Sequence, residues 1–135
     1  MRIAINGFGR IGISIFKIAL DNKLNVVVIN DPHGVKSAAY LLKHDSVYGK
    51  YRREVKIEKG ELVVDRRRIK VISERDIEKL YWDNLKVDVV IESTGVFTDR
   101  ESAMSHLKNG AYYVLITSPA KNPDITIVMG VNEKK

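Results

Sequence analysis

The sequence predicts an α/β fold built on a mostly parallel sheet, and three observations carry that expectation. Short continuous apolar runs, "RIAI" (2–5), "NVVVI" (25–29) and "VDVVIE" (87–92), have the composition of strands buried on both faces. Between the first two, Ile11, Ile15 and Ile18 stand at i, i+4 and i+7, one face of a helix. Strand-like and helix-like segments then alternate along the chain, the order in which helices cross between parallel strands.

Taken in order, the strand at 2–5 runs into a helix over 10–21 that ends near Asp21 and Asn22. After the strand at 25–29, "VKSAAYLLKH" (35–44) reads as a second helix. The stretch "REVKIEKGELVVDRRRIKVIS" alternates with period two around a Lys59-Gly60 turn, which predicts an antiparallel insertion. The strand at 87–92 is followed by Thr98 and Glu101 at capping-box spacing, the start of a helix that Asn109-Gly110 stops. "YYVLIT" (112–117) and "ITIVM" (125–129) predict two further strands.

At 135 residues, 44% hydrophobic and 30% charged, the chain has the size and composition of one globular domain, 1–135. No apolar run approaches the ~18–20 residues that cross a bilayer, and "MRIAING" carries no secretory leader, so a cytoplasmic, membrane-free protein is expected. There are no cysteines, which excludes disulfides, thiolate metal sites and a cysteine nucleophile from these residues. No metal site is expected. The formal charge is +6, with basic clusters at 50–53 and 66–68. Such charge attracts polyanions, but acids such as Glu61 and Asp65 flank the second cluster, which reads as a solvated hairpin turn rather than a nucleic-acid surface.

Gly7, Gly9 and Gly12 form G-x-G-x-x-G between a predicted strand and a predicted helix. The pattern alone is weak; that context gives it a mechanism. Gly7 permits the tight turn, Gly9 lets a pyrophosphate approach the backbone, and Gly12 allows close helix packing, with the unpaired N–H groups of the helix start facing the phosphates. Asp31 ends "VVVIND", 19 residues after Gly12, where an acid accepts hydrogen bonds from the adenine ribose. A carboxylate there repels a 2′-phosphate and favours NAD over NADP. The other reading of Asp31 is a turn residue before Pro32. Together these features predict a doubly wound, Rossmann-type sheet. In "ESTGVF" (92–97), small residues after a strand let a ligand lie across the strand ends. Phe97 would wall the adenine or simply fill the core.

Several segments together, "INGFGRIG", "IND", "SERD", "ESTGVFTDRE" and "ITIVMGVNE", resemble the amino-terminal half of the phosphorylating glyceraldehyde-3-phosphate dehydrogenases, from residue 2 to the end. The erythrose-4-phosphate dehydrogenases share this pattern. The resemblance implies that Arg10 and Ile11 give backbone N–H groups to the NAD pyrophosphate, with Asn6 and Gly7 beside them and Phe8, Gly9 and Gly12 completing the turn. It implies that Asp31, flanked by Asn30 and Pro32, holds the adenosine ribose and that Arg75 lies beside the adenine. Ser93, Thr94, Gly95 and Phe97 would line the adenosine side, and Thr117 would lie near the nicotinamide. Ile13, His44 before "DSVYGK", and Ser118 depart from the family's usual residues.

In that family a cysteine nucleophile and a histidine base, carried beyond "MGVNE", do the chemistry. His33, His44 and His106 match no base position, so each is read as solvated or packing. No catalytic residue is assigned to this chain. It is expected to bind NAD, to be inactive alone, to partner the family's substrate domain and to self-associate. A stand-alone dinucleotide module, half of a split dehydrogenase, and an RNA-binding protein are the alternatives.

Overall fold

A computed structural model describes residues 1–45 and 49–135; the "SVY" of the "DSVYGK" stretch lies outside the described residues. The chain runs β1 (Arg2–Asn6), α1 (Arg10–Asp21), β2 (Asn25–Asn30), α2 (Gly34–Lys43), β3 (His44–Asp45), β4 (Gly49–Lys50), β5 (Val55–Glu58), β6 (Glu61–Val64) and β7 (Arg67–Ile72). Short 3-10 turns at Ile77–Lys79 and Asp83–Leu85 precede β8 (Val89–Glu92), α3 (Arg100–Lys108) and β9 (Tyr113–Ile116).

Seven strands form one sheet in the order β5-β6-β7-β2-β1-β8-β9. The pairs from β7 through β9 are parallel, whereas β5–β6 and β6–β7 are antiparallel. The predicted antiparallel insertion is therefore more closely integrated than a separate hairpin. Its last strand, β7, pairs with β2 as a parallel member and carries β6 and β5 outward on its other edge. The small β3–β4 pair stands apart from this sheet.

The central strands β1 and β2 are buried on both faces, so alternate residues enter different cores. Ile3 and Ile5 pack with Phe16, Ala19 and Leu20 of α1 and Ala38, Ala39 and Leu42 of α2 on one side. Ala4, between them, joins Val28, Val90, Leu80, Trp82 and Ala111 on the other. The period of two thus becomes a three-layer doubly wound domain.

Three local expectations are corrected. The face of α1 that enters the core is Gly12, Phe16, Ala19 and Leu20, whereas Ile11 and Ile18 of the predicted apolar face are exposed and Ile15 is half-buried. The cap of α3 is Asp99, whose carboxylate accepts the Ser102 N–H at 2.8 Å. Thr98 stands one residue too early: its carbonyl accepts from Lys121 N–H, which places it in the preceding loop. Residues 125–129 do not form a strand. Ile125, Ile127, Val128 and Met129 are exposed, and Val128 instead enters a turn in which its N–H donates to Asn132 Oδ1. Strand composition is insufficient where a segment has no paired neighbour.

Candidate nucleotide site

The carboxyl ends of the parallel strands come level in one row. Asn30 pairs with Asn6 across β2 and β1, Asn6 with Glu92 across β1 and β8, and Glu92 with Ile116 across β8 and β9. The chain leaves β1 toward β2 on one side and returns to β8 on the other. A ligand crevice opens at such a reversal.

The glycine turn follows β1 at this row of strand ends. Gly7 has φ +94°, and a Cβ on it would lie 2.8 Å from Thr94 N. Only glycine lets the turn rest on the loop after β8. A Cβ on Gly12 would lie 2.1 Å from the Gly7 carbonyl oxygen, so α1 can start this close to the turn only without a side chain there. Gly9 differs from both: a Cβ would meet nothing within 4 Å. The space above it is open, as a cradle for a ligand requires. Gly9 is also the cap residue of α1, with no side chain bonded to the first turn. The leading amides of the helix, at Arg10 and Ile11, belong to the first turn, whose N–H groups have no intrahelical acceptor.

Asp31 is tied to the same turn. Its Oδ2 accepts the Phe8 N–H at 3.0 Å, and its Oδ1 accepts the His33 N–H at 2.9 Å and lies 3.0 Å from the His33 ring Nδ1. Phe8 itself is buried, its ring edge-on to Phe16 at 5.5 Å, so its side chain is core. Its N–H is spent on Asp31. Pro32, Arg75 and Gly95 are exposed, and Ser93, Thr94, Phe97 and Thr117 are half-buried. Ser93 Oγ donates to the Gly7 carbonyl at 2.7 Å, while Thr117 N–H extends the β8–β9 ladder to the Glu92 carbonyl at 3.1 Å.

Beneath the crevice lies a buried polar chain that sequence reasoning did not assemble. Glu92 Oε2 accepts from Asn6 Nδ2 and lies against His106 Nε2, both at 2.7 Å. Its Oε1 accepts the Thr94 N–H at 3.0 Å and the Thr94 hydroxyl at 2.5 Å. Trp82 Nε1–H donates to His106 Nδ1 at 2.9 Å. An indole N–H can only donate, so Nδ1 is the acceptor and Nε2 carries the imidazole proton toward Glu92. On the other side Asn30 Nδ2 donates to both Asn6 Oδ1 and the Glu74 carbonyl, and Asn30 Oδ1 accepts the Glu74 N–H at 2.9 Å. Burial pushes the Glu92 carboxyl up, but the hydrogen bonds from His106, Thr94 and Asn6 outweigh it and hold the group below its ordinary value.

Asn6 and Asn30, expected near the cofactor, thus turn their side chains into this chain. His106, expected to be solvated or packing, is fully buried and packs by hydrogen bonding. A faint signal existed in the sequence: "AIN", "VIN" and "VIE" each end an apolar strand on a polar residue.

The family described as "Glyceraldehyde 3-phosphate dehydrogenase, NAD binding domain" matches residues 1–100. The chain belongs to that family. It is 51% identical over its whole length to glyceraldehyde-3-phosphate dehydrogenase of Geobacillus stearothermophilus, of which it spans 41%. It is 51% identical to the enzyme of that name from Thermotoga maritima, with 98% of the chain and 40% of the relative covered. With glyceraldehyde-3-phosphate dehydrogenase 1 of Bacillus subtilis it shares 48% identity, over the whole chain and 41% of the relative. The chain therefore spans about two fifths of the length of these relatives. NAD is the cofactor of this domain family. Among the described residues no helix is long and apolar enough to cross a membrane.

Proposed function

We propose that this chain is the cofactor-holding part of a cytoplasmic enzyme that oxidises glyceraldehyde 3-phosphate to an acyl phosphate with NAD, the glycolytic reaction. The observation that carries the reading is the joined pair of features at the crevice: the open space over Gly9 at an uncapped helix start, and Asp31 bonded to the same turn. In this reading Arg10 and Ile11 hold the pyrophosphate through their N–H groups, with Gly7, Gly12 and the backbone of Asn6 and Phe8 shaping the turn. Asp31, between Asn30 and Pro32, holds the adenosine ribose. Arg75 borders the adenine with Ser93, Thr94, Gly95 and Phe97, and Thr117 borders the nicotinamide.

NAD, when bound, supplies the hydride acceptor. The thiolate that acts on an aldehyde has no counterpart among these residues, since the sequence has no cysteine. The chain by itself binds and orients the cofactor without turnover, and a substrate domain of the same enzyme is its partner. Oxidation of erythrose 4-phosphate is the second substrate reading. Tyr112 just before the edge strand β9, Tyr113 and Leu115 on it, and Ile127, Met129 and Val131 beyond it are exposed, and apolar surface of this kind favours self-association.

The deciding experiment is a calorimetric titration of the chain with NAD and, in parallel, NADP. Saturable binding that prefers NAD is expected. Absence of binding by both nucleotides overturns the reading.

A further inference from the structure

The Glu92 carboxylate is buried to 1% exposure and His106 to 0%, yet every polar atom between them is paired. A buried carboxylate with this many donors is costly to assemble and strongly oriented once assembled. Its two oxygens serve different parts of the crevice. Oε1 takes both polar groups of Thr94, and the Thr94 hydroxyl in turn accepts the Val96 N–H at 3.1 Å. This shapes the 93–97 loop on which Gly7 rests. Oε2 takes Asn6, which leads through Asn30 to the backbone of Glu74, immediately before Arg75. One carboxylate therefore anchors both walls of the crevice from below while remaining out of reach of anything bound in it.

We propose that Glu92 is a positioning residue for the dinucleotide, and that His106, held in its Nε2–H form by Trp82, is the brace that aims it. The proposal rests on the NAD-binding reading and extends it to residues that touch no ligand. His106 is placed to act only through Glu92: it lies in α3, behind the strand ends, and its ring contacts are Trp82 and Glu92. The carboxylate form matters because four donors converge on it. An amide in its place presents an N–H to at least one of them, and a buried donor left facing a donor is costly.

The test uses the chain with Glu92→Gln, His106→Leu and His106→Gln, each checked for folding by its melting transition. Glu92→Gln is expected to weaken NAD by about tenfold, and His106→Leu by somewhat less. His106→Gln keeps an N–H for Glu92 and an oxygen for Trp82, so it is expected to restore affinity to within about twofold of the unsubstituted chain. A role confined to stability would lower the melting temperature of all three and leave the dissociation constants of the folded proteins alike, and that result overturns the proposal.

A ligand-free readout separates this proposal from the functional reading. In Glu92→Gln the Thr94 and Val96 amides are expected to exchange with deuterium faster than Val90 does. Trp82 is the single tryptophan, so its one indole N–H resonance reports the His106 bond directly and is expected to shift. If the unsubstituted chain binds neither nucleotide, the functional reading falls and the exchange pattern alone decides; unchanged Thr94 and Val96 exchange then sinks the positioning role.

Discussion

The backbone N–H of Phe8 donates to the Asp31 carboxylate at 3.0 Å, so the glycine turn and the end of β2 form one unit across a gap of 23 residues. An acid in this position does two jobs. It fixes the turn and, in the proposed reading, also takes the hydroxyls of a ribose. Asp31→Ala is accordingly expected to weaken NAD by about tenfold or more. NADP, whose 2′-phosphate the carboxylate repels, loses much less. Parallel titrations check this, and an equal loss for both nucleotides removes the ribose argument.

The three motif glycines are expected to separate by experiment. Gly12→Ala forces a Cβ against the Gly7 carbonyl, 2.1 Å away, and overpacking of this kind costs about 1–3 kcal/mol. Gly7→Ala adds strain at positive φ to its contact with Thr94. Gly9→Ala has free space and an ordinary φ of −86°, so it is expected to melt like the unsubstituted chain and yet bind NAD more weakly. Melting curves and titrations on the same samples distinguish the cases. Full NAD affinity in Gly9→Ala would show that the open space is not the phosphate cradle.

Stability is expected to fall on the acid side in a defined way. Glu92 is held below its ordinary value of 4.5 when folded. It therefore contributes stability that is fully present above 4.5 and is lost as pH falls through the lower folded value, where the unfolded chain takes up the proton first. Arg53 lowers Asp21 and Asp65 through hydrogen bonds, and the Ser102 N–H lowers Asp99, all in the same sense. Urea unfolding measured from neutral pH into this range gives the slope. In Glu92→Gln that slope is expected to be shallower; an unchanged slope means that folding does not shift the carboxyl's titration, and a steeper one that folding raises it.

For α3 the cap is the point at issue. Asp99→Ala removes the acceptor of the Ser102 N–H and is expected to lower the melting temperature by a few degrees. Thr98→Ala is expected to leave it nearly unchanged. A larger drop in Thr98→Ala than in Asp99→Ala would return the cap to the earlier residue.

Self-association is expected to grow with concentration and to depend on the β9 edge, where Leu115 is 53% exposed. Sedimentation from dilute to concentrated samples measures it. Leu115→Lys, a charge on an open edge, is expected to shift the distribution toward monomer. A constant monomeric mass for the unsubstituted chain refutes the prediction.

Short-range patterns legible in the sequence account for most of this protein. The apolar runs at 2–5 and 25–29 became β1 and β2, and residues 10–21 became α1, although its buried face is Gly12, Phe16, Ala19 and Leu20 rather than the isoleucines. Gly7, Gly12 and Asp31 stand where the motif put them, since turn geometry and helix start are local demands. What only the tertiary structure decided was pairing. Residues 125–129 have strand composition and no partner strand. β7 reads as the end of a hairpin and proves to be a member of the parallel sheet. Asn6, Asn30, Glu92, His106 and Trp82 are scattered over 101 positions of sequence, and none of them predicts another. Parallel register brings the first three level, and the packing of α3 and the Trp82 turn adds the others. A hydrogen-bond chain of this kind depends on ångström-scale placement in three dimensions, and no linear period encodes it.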